Sequence, residues 1–341
     1  MRKPVILITG ANGEIGHGLI EHFSQQARHD IVTLDLKPLD SRLVTENLTS
    51  IQGDILDDNV MQRIVSEFEI HAIYHLAAML STRSEYAPDI AHNVNVNGTL
   101  NLIKLAHEQA RWHGEPVRFL FPSSIAAYGL PDLATKADAG RVSENEWNIP
   151  TTMYGCNKLY CEQLGRYYSM HFRQLAADRA PSGVDFRAIR FPGLISAVTL
   201  PAGGTSDYAS EMVHAAAQGK PYACFVSESS RIPFMAMPDA IKALLNLSEA
   251  EESALNQRTY NVGSFSVSAG EIRDHVKRAF PNAEITFEPD RPRNGIVDSW
   301  PADVDDSAAA RDWGWKPDYD ARRAFEEYLA PTIAEFYRDR E

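Results

Sequence analysis

Tyr154 and Lys158 stand four residues apart in TTMYGCNKLYCEQ (151–163), and Ser123 and Ser124 close the segment VRFLFPSS (117–124) not far before them. These residue types suit proton transfer to or from an alcohol. A free phenol, with a pKa near ~10, is a poor base at neutral pH. A neighbouring ammonium favours the phenolate and lowers that pKa. Lys158 can also hold ribose hydroxyls, and Ser124 can bond a substrate hydroxyl and orient it. Spacing alone decides little, because Tyr and Lys at i and i+4 are neighbours on any helix. The groups gain weight only if the fold carries them to one place.

A second pattern supplies that place. Gly10, Gly13 and Gly16 form G-x-x-G-x-x-G in GANGEIG (10–16), directly after the apolar run VILIT (5–9). Between a strand and a helix, such a turn offers a pyrophosphate unpaired helix N–H groups and the positive end of the helix dipole. Gly10 serves the tight turn, Gly13 the close approach and Gly16 the packing of helix on sheet. Asn12 is a candidate for a further side-chain contact. Asp35 lies near the end of the next apolar run, DIVTLDL (30–36). A carboxylate there accepts from a ribose 2′-OH and repels a 2′-phosphate, so NAD is expected rather than NADP. Asp54 in GDI (53–55) is placed to accept from the adenine amino group, although alone it reads as a turn acid.

These residues need a particular scaffold. Strands are expected at 5–9, 30–36, 51–55, 72–78, 117–124 and 185–191. Helices are expected at 14–27, 59–68, 96–114 and from the Tyr154 segment to about 174. The alternation predicts βαβ crossovers and an α/β fold with a doubly wound parallel (Rossmann) sheet. Ligands sit outside the carboxyl ends of such strands, which places the serines and Tyr154 at the crevice. After Pro192 the pattern turns irregular, with a helix near 209–217, and RTYNVG (258–263) reads as a strand returning to the main sheet. The expected domains are an NAD-binding one over 1–190 and a smaller, mainly substrate-binding lobe over 191–341.

Composition narrows the partners. The 341 residues are 44% hydrophobic and 23% charged, and 33 basic against 46 acidic side chains give a net charge of −13. An acidic chain has no general attraction for nucleic acid or anionic membranes. No apolar stretch is long enough to span a bilayer, and MRKPVILITG has no signal-like leader, so a cytoplasmic protein is expected. Cys156, Cys161 and Cys224 form no CxxC and no metal-ligand pattern; they read as reduced thiols, and no metal is expected.

The motifs GANGEIG, HLAA (75–78), NVNGT (95–99), PSSIAAYG (122–129), YGCNK (154–158) and RFPG (190–193) occur in that order over most of the chain. Together they resemble the extended short-chain dehydrogenases/reductases. The resemblance implies NAD held by Gly10, Asn12, Gly13, Ile15, Gly16, Asp35, Asp54, Ile55, Leu76, Ala77, Ala78, Asn95, Tyr154 and Lys158. The later segments 190–226, RIPFMAMPDA (231–240) and DSWPADVDDSAAARDWGWKPDY (298–319) resemble the short-chain L-threonine 3-dehydrogenase branch. That branch implies oxidation of the threonine side-chain alcohol, with Tyr154 as base, to 2-amino-3-ketobutyrate, which can decarboxylate to aminoacetone or be cleaved by a partner ligase. Its substrate contacts fall on Ser81, Ser124, Tyr154, Thr205 and Trp300.

Each of those residues also has a plainer reading. Trp300 alone reads as lobe packing and Thr205 as a loop hydroxyl, though Gly203 and Gly204 before it would let backbone N–H groups approach an anion. Arg231 is a candidate for the substrate carboxylate, or more simply a lobe-stabilising ion pair. A homodimer is implied, packed through the helices near 96–114 and 153–174, where Leu100, Ile103, Leu105, Leu159, Leu164 and Tyr168 recur at helical spacing. Two alternatives compete. A nucleotide-sugar epimerase or dehydratase would use the same Tyr154 and Lys158 with a longer cleft. A non-catalytic dinucleotide sensor would have no need of Tyr154, Lys158 and Ser124 together.

Overall fold

Val5, Ile6, Leu7 and Ile8 are all buried, as a strand covered on both faces requires. In the computed structural model, residues 3–26, 28–177, 180–197, 199–201 and 203–338 are described. In chain order they form β1 (Lys3–Thr9), α1 (Glu14–Gln26), β2 (Asp30–Asp35), β3 (Leu48–Gln52), α2 (Asp58–Glu67), β4 (Phe68–His75), α3 (Ser81–Tyr86), α4 (Pro88–His92), α5 (Gly98–His113), β5 (Val117–Ser124), α6 (Leu133–Ala139), β6 (Arg141–Val142), α7 (Met153–Arg166) and β7 (Val184–Phe191). There follow β8 (Gly193–Ile195), α8 (Tyr208–Ala217), β9 (Tyr222–Cys224), β10 (Arg231–Ala236), α9 (Met237–Glu249), β11 (Thr259–Asn261), β12 (Phe265–Ser268), α10 (Ala269–Ala279), β13 (Ile285–Phe287), α11 (Arg291–Asp298), β14 (Asp303–Val304), α12 (Ser307–Trp313) and α13 (Ala330–Arg338).

Seven strands make the main sheet in the order β11-β7-β5-β4-β1-β2-β3. The pairs β1–β2, β1–β4, β2–β3 and β4–β5 are all parallel. The chain moves outward from β1 through β2 to β3, then crosses back to β4 and β5 on the other side. This is the Rossmann α/β architecture, and the carboxyl ends of β1 and β4 flank its switch point. β3 ends at Gln52 rather than near 55, and β4 ends at His75, which leaves Asp54 and Leu76–Ala78 in the connections that follow. The second half is more regular than its sequence suggests, with a three-stranded sheet β12-β10-β8 and the two-stranded pairs β13-β9 and β14-β6.

The chain divides into two units, but not at one boundary near 190. Unit 1 is Met1–Ser123, Cys156–Ile189 and Leu244–Thr259; unit 2 is Ser124–Gly155, Arg190–Ala243 and Tyr260–Glu341. The segment 124–155 goes to unit 2 because Ile125, Tyr128 and Val142 are buried in that unit's apolar core. The Tyr128 hydroxyl there donates to Asn261 Oδ1 at 2.8 Å. The segment 244–259 goes to unit 1 because the buried Arg187 of β7 needs it. Its Nη1 donates to the carbonyls of Leu247 and Ala250, both at 2.6 Å, while Nη2 meets Asp185 Oδ2 at 2.6 Å. A buried guanidinium is tolerable only when paired in this way.

Candidate active site

In unit 1 the turn between β1 and α1 is held from several sides. Gly10 has φ +67°, and a Cβ there would lie 2.6 Å from the Ala77 nitrogen, so no side chain fits. Gly13 is exposed at the mouth of the turn and Ile15 is half-buried just inside α1. Gly16 sits against the backbone of Ala11, in the turn itself, rather than against the sheet as its motif position suggests. Asp35 takes the Asn12 N–H on Oδ2 and the Lys37 N–H on Oδ1, each at 3.0 Å. A carboxylate has about four acceptor positions, so Asp35 retains capacity for a ligand.

Asn12 differs from the expectation. Its amide donates to the carbonyls of Lys37 (3.2 Å) and Pro38 (3.1 Å) and accepts the Asp40 N–H at 3.1 Å. The side chain therefore braces the loop after β2 instead of reaching toward a phosphate. Asp54 takes the Leu56 N–H at 2.9 Å, as a turn acid does. The Ile55 side chain is buried in the core of unit 1, which leaves its backbone for any contact with a nucleotide.

A buried polar chain runs beneath the ends of β1 and β4. The Ala77 N–H donates to Thr9 Oγ1 (3.3 Å), which pairs with His75 Nδ1 at 2.8 Å. His75 Nε2 meets Thr99 Oγ1 at 2.9 Å, and Thr99 donates onward to the Asn95 carbonyl at 2.5 Å. That order of donors makes His75 a neutral imidazole with its proton on Nε2. Burial first, and the Lys158 charge second, push its pKa down to about 3. Asn95 spends its amide on Met79, accepting the N–H at 2.7 Å and donating to the carbonyl at 3.1 Å, and donates also to Asn157 Oδ1 at 3.2 Å. It fixes the segment after β4, where Leu76, Ala77 and Ala78 are half-buried and Ser81 opens α3.

The two serines at the end of β5 have separate lives. Ser123 is buried and donates to Glu162 Oε1 of α7 at 2.5 Å. Ser124 is half-buried, and its Oγ accepts the Ala126 N–H at 3.1 Å, which closes the turn 125–127. The first turn of α7 lies directly on that turn, because a Cβ on Gly155 would be 2.0 Å from the Ala126 carbonyl oxygen. Only glycine permits this approach, and it seats Tyr154 beside the Ser124 turn within unit 2. Tyr154 is half-buried against that unit's core, and burial pushes its phenol pKa up. This is the reverse of what a neighbouring ammonium alone would do.

Lys158, one helical turn on, lies in unit 1. It is buried, its Nζ donates to the Pro122 carbonyl at 2.6 Å, and it stands 4.6 Å from the centre of the Phe121 ring. Burial lowers its pKa to about 8, while Cys161 and Glu162 pull it back upward. Glu162 went unnoticed in the sequence, where a glutamate on a helix reads as solvated. Its place four residues beyond Lys158 was the available signal.

The remaining candidates lie in unit 2. Thr205 is buried, in a turn where the Gly204 N–H donates to Asp207 Oδ2 at 2.7 Å. That N–H is therefore spent internally rather than offered to an anion. Trp300 is buried among core side chains, yet its indole N–H meets no acceptor among the described residues. Arg231 pairs with Glu271 Oε2 at 2.6 Å and with the Ser266 carbonyl at 2.8 Å, which settles it as a lobe-stabilising ion pair. Among the described residues no group of acidic, Cys or His side chains is arranged to hold a metal, and no helix is long and apolar enough to cross a membrane.

The helix faces also differ from expectation. Ile103 and Leu105 are buried in the core of unit 1, and Leu164 and Tyr168 pack against it. The apolar side chains left exposed are instead Trp112 of α5, Tyr160 of α7, and Tyr167 and Met170 just beyond it.

The chain is similar to known proteins over most of its length. The sequence matches the model of the NAD dependent epimerase/dehydratase family over residues 6–263. The mitochondrial L-threonine 3-dehydrogenase of Sus scrofa is 34% identical over 329 residues, covering 93% of this chain and 80% of that protein. A structure of a partial consensus L-threonine 3-dehydrogenase superposes with a TM-score of 0.85 at 36% identity, covering 98% of this chain and all of that one (100%). The holo form of a GalE-like L-threonine dehydrogenase from Cupriavidus necator gives 0.82 at 36% identity, over 99% and 100% of the two chains.

Proposed function

This chain belongs to the NAD-dependent epimerase/dehydratase family of extended short-chain dehydrogenases/reductases, and from that premise we propose that it oxidises L-threonine at the side-chain hydroxyl to 2-amino-3-ketobutyrate. NAD, when bound, accepts the hydride. The turn at Gly10, which no side chain could occupy, and the anchored carboxylate of Asp35 fit a dinucleotide with a free 2′-OH. The observation that carries the reading is the seating of Tyr154 on the Ser124 turn through Gly155.

In this reading Ser124 bonds the substrate hydroxyl and Tyr154 takes its proton. Lys158 holds the ribose hydroxyls, and its positive charge favours the phenolate against the burial that opposes it. The commitment of Ser123 to Glu162 supports Ser124 as the substrate-facing hydroxyl. The buried Trp300 indole N–H, without an acceptor among the described residues, suits a carboxylate, and Ser81 and Thr205 are the further hydroxyls that this reading assigns to the amino acid. The protein works as a homodimer through helices α5 and α7, where Trp112 and Tyr160, with Tyr167 and Met170 just beyond α7, are exposed. It acts in the cytoplasm, where thiols such as Cys156, Cys161 and Cys224 stay reduced. A ligase that cleaves the 2-amino-3-keto acid is the expected consumer of the product.

The test is NADH absorbance with L-threonine, L-allo-threonine, L-serine and 3-hydroxybutyrate as substrates. Threonine should give the highest kcat/KM. Turnover of 3-hydroxybutyrate alone, or of a sugar nucleotide but no amino acid, would overturn the proposal.

A further inference from the structure

Lys158 is a buried cation whose surroundings can be named element by element. From β5 come the Pro122 carbonyl at 2.6 Å and the Phe121 ring at 4.6 Å. From β4 comes His75, neutral and tied to Thr9 and Thr99. From α7 come Cys161 and Glu162, the groups whose negative forms would favour the charged lysine. Cys161 donates its S–H to the Asn95 carbonyl at 3.3 Å, and burial pushes its pKa up to about 11, so it carries no charge at neutral pH. Tyr154, at the start of the same helix, is likewise a neutral phenol in this state, its pKa raised by burial. Glu162 is different: a carboxylate 1% exposed, one turn past the lysine and fastened to the end of β5 by the Ser123 hydroxyl.

We propose that Glu162 is a positioning residue acting through Lys158: its buried charge keeps the ammonium protonated against Pro122, and its bond from Ser123 locks helix α7 to the end of β5. Removing a charge of opposite sign from a dry site destabilises the remaining ion far more than it would in water. A neutral lysine would no longer favour the Tyr154 phenolate, and would hold the cofactor less well. The inference rests on the proposed role of Lys158 but not on the identity of the substrate.

The experiment measures NADH binding by fluorescence between pH 6.5 and 10 with the full-length protein, which needs no substrate. Affinity should fall on the alkaline side as Lys158 loses its proton. Glu162→Gln keeps an acceptor for Ser123 and removes the charge, so the alkaline limb should move about one pH unit toward neutrality. Glu162→Asp restores the charge and should return the limb toward the parent position. Ser123→Ala keeps the charge and should leave the limb in place, whatever it does to affinity. A Glu162→Gln protein that binds NADH more weakly at every pH, with its limb unmoved, would show a purely structural role and overturn the proposal. If that variant does not fold, Lys158→Arg is read in its place: a guanidinium does not titrate below pH ~10, so the alkaline limb should vanish, and a limb that persists would overturn the proposal. Normal NADH binding without threonine oxidation would sink the substrate assignment and leave this inference standing.

Discussion

The surroundings of the glycine turn in unit 1 and the core of unit 2 treat their polar atoms differently, although the buried Thr33 hydroxyl of unit 1 also lacks a partner among the described residues. In unit 1 the groups around the glycine turn are closed upon one another: Asn12 on the 37–40 loop, Asn95 on Met79 and Asn157, and Thr9 and Thr99 on His75. In unit 2 the buried Trp300 indole N–H and the Tyr208 hydroxyl have no hydrogen-bond partner among the described residues. A site for a large ligand of constant shape gains from being rigid before the ligand arrives, since little ordering entropy remains to be lost. A site for a small zwitterion must keep donors and acceptors in reserve, at the cost of leaving them dry and unsatisfied.

Each side of this contrast can be broken. Tyr154→Phe should lower kcat by about 10³-fold, the scale of a lost general base, with NADH binding intact in a fluorescence titration. Near-normal turnover would remove the phenol from the chemistry. Gly155→Ala drives a methyl group into the Ala126 carbonyl, and should cost ~3 kcal/mol in a denaturant melt and most of the activity with it. An unperturbed melt would mean that the helix start can shift freely.

Unit 1 should show its rigidity through pH. The pKa of His75 falls from 6.5 in the unfolded chain to about 3 in the folded one, so the unfolded form gains the proton first. This contribution to stability is full above pH 6.5 and fades as pH falls toward 3, with about 2 kcal/mol lost by pH 5. Glutamine at this position does not titrate. If His75→Gln retains the full slope of melting temperature between pH 7 and 5, the buried imidazole is not its source.

Two smaller effects sharpen the picture. Asp35→Asn should weaken NAD binding on the order of 10-fold and narrow the preference over NADP, read from the two dissociation constants. An unchanged ratio would take Asp35 out of cofactor choice. Trp300→Phe removes a donor with no acceptor among the described residues, so stability should hold while the KM for threonine rises roughly 3–10-fold. Lost stability with KM unchanged would make the indole a packing element alone.

What could be read in the sequence follows from locality. The glycine turn was legible because an uninterrupted apolar strand, a glycine pattern and a helix are contiguous. β5 was read to both of its ends, since Gly114 stops the helix before it and the serines mark its close. The role of Asn12 was hidden because its acceptors lie 25 and 26 residues further on. The exposed face of α5 and α7 was misjudged for another reason. Helical periodicity reports that an apolar stripe is buried but not by what, and Ile103 and Leu105 turned inward to the protein's own core. α6 and β6 escaped notice because elements of seven and two residues are too short to carry a periodic signal. The chain's crossing between units at 123/124 and 155/156 has no sequence mark at all, because it depends on which core Ile125 and Tyr128 join.

The three-part make-up of unit 1 bears on how the protein is born. While a ribosome is still making residues 190–243, β7 has emerged with Arg187 in it but without the carbonyls of Leu247 and Ala250 that will receive that guanidinium. The outer edge of the sheet beside β7 waits for β11 over the same interval. Unit 1, although it opens the message, thus waits for a late segment of the chain, and a nascent chain stalled before residue 244 presents an open sheet edge to whatever chaperone is nearby.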